Sequence, residues 1–276
     1  MILVAGGTGR LGSLVVRRLA RSRLHVRVLT RDVTRAQHLS DVAEVVVGDV
    51  RDRLSLDHAM RGVTTVVSAV QGLAGPGNVT PTSVDHEGNM HLVDAAAAAG
   101  ADVVLLSVVG AAASHPMEIF RAKYAAEQHL RASTAKWTIV RATAFLELWA
   151  EVLGKGIVFG RGDNPINFVS VHDVAAVVEL AVVDRNLRGQ IIDVGGPDNL
   201  TFNQLAAELQ QVTGRSRQVR HIPRWLLRAI SPLARRPAAA LVMDTIDLTF
   251  EASPTAVPEL RLTDTLTALR MATSAR

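Results

Sequence analysis

The chain opens with a short apolar run, Met1-Ile-Leu-Val-Ala5, and passes at once into Gly6-Gly-Thr-Gly9-Arg-Leu-Gly12, after which Leu11, Leu14, Val15 and Leu19 recur at helical spacing. A strand, a glycine turn and a helix N-terminus in that order make a cradle for a pyrophosphate. Glycine permits positive φ and lets the backbone approach the anion, while the first N–H groups of the helix and the positive end of its dipole face it. The last glycine allows helix and strand to pack closely. The run reads as GxGxxG through Gly7, Gly9 and Gly12, or as GxxGxxG through Gly6, Gly9 and Gly12. Either string alone is weak. Its place between an apolar strand and an amphipathic helix favours a dinucleotide site over a plain glycine-rich turn, with Gly6, Thr8, Gly9, Arg10, Leu11 and Gly12 as the residues that hold it.

Downstream, β-rich runs alternate with helical patterns: Ile2 to Ala5, His25 to Thr30, Ala43 to Val47, Val63 to Ala69, Val103 to Ser107 and Trp137 to Arg141 read as strands. Near-continuous Val and Leu in these strands predicts a Rossmann-like α/β fold, a doubly wound parallel sheet with helices on both faces. Ligands of such sheets bind at the carboxyl ends of the strands. After Arg141 the rhythm changes. Gly154 to Asn164 is glycine-rich, Phe168 to Ser170 and Ile191 to Val194 read as short strands, and Ser170-x-x-Asp173 and Thr201-x-x-Gln204 have the capping-box form. The expected division is a Rossmann domain over 1-152 and 170-194, with a smaller C-terminal lobe over 153-169 and 195-276 on the substrate side.

Composition removes several classes. With 48% apolar residues the chain is globular, and with no cysteine it has neither disulfides nor thiol chemistry. A strand beginning at Ile2 leaves no room for a leader, so no secretion signal and a cytoplasmic location are expected. Ala95 to Ala113 is the longest weakly charged stretch, but Gly100 and Asp102 interrupt it, so no membrane span is expected. The formal charge of +4 is spread along the chain and aromatic residues make up only 4%, which speaks against nucleic-acid binding. Lys123, Lys136 and Lys155 are the three lysines.

The end of the second strand is where dinucleotide folds read the adenosine ribose. There the chain reads Val28-Leu-Thr30-Arg31-Asp32, with Thr30 where an acid would bind the ribose hydroxyls of NAD and Arg31 offering a guanidinium suited to a 2′-phosphate. NADP is therefore expected, NADPH being preferred over NADH; the alternative is a solvated Arg31 paired with Asp32. Gly48-Asp49-Val50 closes the third strand, where Asp49 could accept from the adenine amino group or merely start a turn.

Taken together, GGTGRLG, Arg31, Gly48-Asp49-Val50, Gly88-Asn89 opening a helix that ends Ala95 to Gly100, Leu106-Ser107-Val-Val-Gly110, Lys123-x-x-Ala126-Glu127, Trp137-Thr-Ile-Val-Arg141, Asn167-Phe-Val-Ser170-Val-His-Asp173-Val-Ala175 and Val194-Gly-Gly-Pro197 resemble the atypical short-chain dehydrogenase/reductases. More narrowly, they resemble the NmrA-like and isoflavone-reductase-like group, over about residues 1 to 214. The resemblance implies a Tyr-x-x-x-Lys pair, in which the phenol protonates the developing alkoxide and the ammonium lowers its pKa and holds the nicotinamide ribose. Four residues before Lys123 stands Ile119, which has no proton to donate, and the sole tyrosine, Tyr124, points to another side of the helix.

Three readings follow. As in the isoflavone-reductase-like members, Lys123 itself serves as ribose holder and acid for hydride transfer to a small, apolar or quinone-like carbonyl or enone substrate. Alternatively, as in the NmrA-type regulators, the chain binds NADP without turnover and reports redox state to a protein partner. Or Lys123 lies on a wet helix face paired with Glu127. A sugar-nucleotide epimerase is a further alternative that the missing tyrosine disfavours, and a homodimer is compatible with the chain. The resemblance also gives Ser107, ending strand five, a substrate-orienting role. It places Ser68, Ala69 and Val70 along the cofactor floor, and Ala142, Thr143 and Ala144, after strand six, near the nicotinamide amide. His115 is a lesser candidate proton source and reads more simply as a surface histidine.

Other strings carry less. His86-Glu87-x-x-x-His91 puts its histidines about 140° apart on a helix rather than stacked, so no metal site is expected. Arg161-Gly-Asp163 has meaning only in an extracellular context, and His172-Asp173 suits helix capping. The basic amphipathic segment 223-236 reads as a lid or small-lobe helix, or else as a helix for a membrane surface or a partner.

Overall fold

Ile2–Ala5 forms β1 with all four side chains buried, as a strand covered on both faces requires. The chain continues through α1 (Arg10–Arg21), β2 (Val26–Thr30), β3 (Glu44–Val47), α2 (Arg53–Ala59), β4 (Thr65–Ser68), α3 (Glu87–Ala98), β5 (Asp102–Val108), α4 (Glu118–Ala132) and β6 (Trp137–Ala142). There follow β7 (Ala144–Phe145), α5 (Leu146–Leu153), β8 (Ile157–Phe159), β9 (Ile166–Val169), α6 (Val171–Val183), β10 (Ile191–Val194), β11 (Asn199–Leu200), α7 (Phe202–Thr213), β12 (Arg220–Ile222), α8 (Arg224–Ile230), α9 (Arg235–Met243) and α10 (Thr265–Ser274). The structure is a computed structural model, and it describes residues 1–73, 79–214, 218–230, 235–251 and 261–274. The chain divides into two units, Met1–Arg141 with Val174–Asp193, and Ala142–Asp173 with Val194–Arg276.

A seven-stranded parallel sheet of order β3-β2-β1-β4-β5-β6-β10, with helices around it, makes the Rossmann-like fold expected from the strand rhythm. Chain order reverses between β1 and β4, where Ala5 is paired with Leu29 on one side and Ser68 on the other. That reversal opens a crevice at the carboxyl ends of β1 and β4. The expected strands are present with ends shifted by one or two residues, as fraying ends allow. Leu11, Val15 and Leu19 of the face that the helical spacing defined are buried, with Val16 beside them, while Leu14 is only half-buried. One connection was not foreseen. Before α3, a π-helical turn spans Pro81–His86, opened by a capping box between Thr80 and Ser83 with Pro81 in its first turn. Gly88 and Asn89 thus lie inside a continuous helical run rather than opening it.

In the second unit β9 pairs antiparallel with β11 and parallel with β7, while β8 pairs parallel with β12. Phe202 packs between Trp149 and Phe168, with ring centroids 4.6 and 5.9 Å away. Asn167, fully buried, ties this sheet together: its Oδ1 accepts from the Gly196 N–H and its Nδ2 donates to the carbonyls of Gly196 and Asp198. The Thr201–Gln204 capping box opens α7 as expected. The one at Ser170 and Asp173 does not form. The Ser170 hydroxyl donates to Glu147 Oε1, and the other Glu147 oxygen accepts the Val171 N–H at 2.9 Å. The Asp173 carboxylate instead accepts from Thr263, at N and Oγ1. The Ser170 hydroxyl accepts the His172 N–H at 3.3 Å, so the buried Glu147 carboxylate and the hydroxyl share the start of α6, the carboxylate making the stronger, charge-assisted bonds.

Candidate functional site

The glycine turn lies at the β1/β4 crevice. Gly6 has φ +82°, and a Cβ there would run into the Ala69 carbonyl; a Cβ on Gly12 would strike the Gly6 carbonyl. The Gly9 N–H donates to the Gly6 carbonyl at 3.0 Å, closing the turn. Gly9 is the N-cap of α1. No side chain caps that helix start, and its first turn carries no acid. A cradle shaped by glycine backbone, at a helix N-terminus with its capping position left to a ligand, fits a pyrophosphate. Leu11 is buried beneath it, Thr8 is half-buried and Arg10 is exposed.

At the end of β2, Thr30 is buried and its hydroxyl bonds the Asp32 backbone, while Asp32 turns away to cap the next 3₁₀ turn by accepting from Thr34 N and Oγ1. Those two bonds hold the Asp32 carboxyl below its ordinary range. Arg31 is exposed, and its charge acts on Asp49. The Asp49 carboxylate is taken by Arg51, whose Nε lies 3.1 Å from both oxygens and whose Nη2 lies 2.6 Å from Oδ2. Burial pushes the Asp49 carboxyl up, but the Arg51 guanidinium and backbone N–H outweigh it, leaving the group below its ordinary range. Arg51 was not singled out in the sequence, since nothing in a Gly-Asp-Val-Arg string says that the arginine folds back two residues. Val50 is buried against Gly88.

At the end of β4, the Ala69 N–H donates to the Ala5 carbonyl, and Ser68, fully buried, donates to Asn89 Oδ1 at 2.5 Å. The Val70 carbonyl accepts from Lys123 Nζ at 3.0 Å. Lys123 is 3% exposed, and its ammonium also lies 3.0 Å from Asp85 Oδ1. The wet-face pairing with Glu127 is therefore wrong. Glu127 is fully buried and bound bidentately by Arg141, with Nε–Oε1 2.9 Å and Nη2–Oε2 2.5 Å. Burial drives the Asp85 carboxyl above its ordinary range, against the Lys123 ammonium and the Gly72 N–H that oppose it, and the Glu118 charge adds to the rise.

Ile119 is buried one turn before Lys123. Ser107 is 2% exposed, and its hydroxyl has no hydrogen-bond partner among the described residues. A buried hydroxyl left open this way is suited to a ligand oxygen or amide. His115 is half-buried, stacked on Phe120 with centroids 3.9 Å apart, and its Nδ1 accepts the Met117 N–H. It serves the start of α4 as a packing group.

Ala142, Thr143 and Ala144 belong to the second unit. Ala142 is buried; Thr143 donates its N–H to the Val194 carbonyl and its hydroxyl to Asn167 Oδ1 at 2.9 Å. Arg161-Gly-Asp163 is structural: the N–H groups of Arg161 and Gly162 donate to the buried Asp244 carboxylate, and Asp163 accepts from Asn203. Among the described residues no group of His, Asp and Glu could hold a metal ion, and no helix is long and apolar enough to cross a membrane. Of the 223-236 segment, α8 is described: Leu227 is buried, Trp225 is 69% exposed and Arg224 binds Asp244. Residues 231–234 lie outside the described residues.

A parallel sheet with a glycine cradle at its reversal point, and a buried lysine beside it, defines a Rossmann-type protein of the atypical short-chain dehydrogenase/reductase class. The chain belongs to the NmrA-like family, whose model matches residues 1–251. It is 35% identical over 222 residues to the (4-alkanoyl-5-oxo-2,5-dihydrofuran-3-yl)methyl phosphate reductase of Streptomyces griseus, a match covering 78% of this chain and 74% of that one. It is 30% identical over 223 residues to the NAD(P)H azoreductase of Xenophilus azovorans, again covering 78% and 74%. Among solved structures, Citrobacter sp. triphenylmethane reductase complexed with NADP(H) superposes with a TM-score of 0.78, covering 99% of this chain and 100% of that one. At 21% identity that likeness establishes the fold.

Proposed function

We propose that this chain is an NADPH-dependent reductase of a small carbonyl, enone or quinone substrate. The observation that carries this reading is the Lys123 ammonium, buried and bonded to the Val70 carbonyl directly after the strand that flanks the glycine cradle. The reductase names and bound cofactor of the relatives support it. NADPH, when bound, supplies the hydride.

The protein's own groups do the rest. The α1 N-terminus with Gly6, Gly9 and Gly12 holds the pyrophosphate, and Arg31 the 2′-phosphate. Asp49 keeps lone pairs for the adenine amino group even while Arg51 occupies both oxygens, because each carboxylate oxygen accepts more than one bond. An ammonium has three protons. One of those on Lys123 goes to the Val70 carbonyl, while Asp85 Oδ1 lies 3.0 Å away as its counter-ion, so protons remain for the ribose and the substrate oxygen. When bound NADPH supplies its hydride, Lys123 would give one proton to the oxygen that gains charge and regain one from water, so that one hydride and one proton complete the two-electron reduction. Ser107, with its open hydroxyl, orients that oxygen.

The test follows NADPH oxidation with a panel of quinones and enones. Turnover should appear with wild type and fall about 100-fold or more in Lys123→Met, the size of a lost general acid, while NADPH binding persists. Turnover unchanged in Lys123→Met removes the lysine from the reaction. NADPH binding without turnover on any acceptor replaces the enzyme with a redox-reporting regulator, a reading that Ile119 in place of tyrosine favours.

A further inference from the structure

Asp85 was assigned no chemistry of its own above, yet it is fully buried and sits against the lysine that carries the proton transfer. Its Oδ2 accepts the Gly72 N–H at 2.6 Å and its Oδ1 faces Lys123 Nζ, which also donates to the Val70 carbonyl. These contacts close a ring: the backbone after β4 at Val70 and Gly72, the carboxylate from the π-helical turn and the ammonium from α4. The turn itself is held from α3, where Asn89 Nδ2 donates to the Asp85 carbonyl at 2.7 Å and Asn89 Oδ1 accepts from Ser68. A π turn is a common device for re-aiming one side chain at a functional site.

Other charges near the ring are committed elsewhere or of the wrong sign. On α4, Glu118 accepts from Thr82, Arg121 donates to the His115 and Pro116 carbonyls, and Glu127 is held by Arg141. On α3, Asp94 pairs with His129, His91 meets the Val50 carbonyl, and Glu87 lies in the first turn beside His86 of the π turn. Asp85 is thus the anion against Lys123 inside the ring.

We propose that Asp85 is the positioning residue of the reaction: as counter-ion 3.0 Å from Nζ it clamps the Lys123 side chain in one orientation against the Val70 carbonyl, with the remaining N–H free for proton transfer. This rests on the reductase reading above. A buried ammonium deprived of its carboxylate keeps its proton less firmly and samples more rotamers, so both charge and aim are at stake.

The three lysines make the test direct, because protein labelled with carbon-13 at lysine Cε gives one signal each for Lys123, Lys136 and Lys155. In the full chain without nucleotide, the Lys123 signal, identified by its loss in Lys123→Met, should be motionally restricted. In Asp85→Asn it should become mobile and lose its proton at lower pH than in wild type. In turnover, Asp85→Asn should lower kcat about 10- to 100-fold, the range for a misaimed group, and move the alkaline limb of kcat/KM downward. An unchanged Lys123 signal and limb in Asp85→Asn overturn the proposal. Should Asp85→Asn fail to fold, the double variant Asp85→Asn/Lys123→Met, which leaves no unpaired charge, should recover a folded protein; a double variant as unstable as the single one also overturns it. Undiminished turnover in Lys123→Met removes the lysine from the reaction and overturns the positioning role of Asp85 with it; NADPH binding without turnover on any acceptor is the separate result that sinks the reductase reading and leaves the tether seen without nucleotide standing.

Discussion

Asp244 shows what a single buried carboxylate does in the second unit. Its side chain is 1% exposed and accepts from Arg224 Nε at 2.5 Å, from the Gly162 N–H at 3.1 Å and from the Arg161 N–H. A Cβ on Gly160 would occupy the space of that carboxylate, so the glycine-rich loop and the acid are fitted to each other. Asp244→Ala leaves Arg224 Nε and two backbone donors without an acceptor, though Arg224 Nη2 keeps the Asp244 carbonyl, and should cost about 3 kcal/mol in the urea unfolding of the full chain. A loss under about 1 kcal/mol would show that water replaces the carboxylate. Residues of this kind are invisible in a linear reading: two partners of Asp244, Arg161 and Gly162, stand more than 80 residues upstream, and Arg224 stands 20 residues upstream. Asp85 escaped for the same reason, its lysine being reached only once the sheet is assembled. Lys123 itself was readable because it lies in a contiguous string with Ala126 and Glu127.

At the scale of the element, helix starts carry the lesson. The capping form Thr201-x-x-Gln204 is local, and it forms; Ser170-x-x-Asp173 looks the same on paper, but Glu147, 23 residues upstream, takes the Ser170 hydroxyl and caps α6. The start of α4 depends on His115, whose Nδ1 must be unprotonated to accept the Met117 N–H. Burial holds His115 below its ordinary value, and the Arg121 charge adds to the depression. A histidine depressed in the fold favours the folded state above its ordinary pKa, near 6.5. That contribution is lost as pH falls through the folded value. Amide exchange at residues 115–121, corrected for intrinsic rates, should therefore speed up between pH 7.5 and pH 5.5, and His115→Gln should flatten the change. Equal protection at both pH values in wild type would remove the histidine from the opening of this segment. The π turn at Pro81–His86 is the element that periodicity missed, since a pattern search at 3.6 residues per turn cannot register a wider one.

For the whole molecule, the order β3-β2-β1-β4-β5-β6-β10 sets where chemistry can occur, because the reversal between β1 and β4 brings the glycine turn and the Ala69-Val70 segment to one crevice. That architecture was readable from near-continuous Val and Leu in the strands, whose burial on both faces removes any ambiguity of register face. The cofactor end was readable as well, being built from consecutive residues at strand ends, whereas Arg51 and Asn89 join it through folding alone. The exposed Arg31 after β2, with Thr30 in place of an acid, makes the central claim a matter of one phosphate. Titration of the full chain with NADPH and with NADH, in wild type and in Arg31→Ala, tests it most directly. A charge-assisted phosphate contact predicts NADPH binding about 10- to 100-fold tighter than NADH in wild type, with the two affinities converging in Arg31→Ala. Equal affinities in wild type, or a preference that survives in Arg31→Ala, would contradict it.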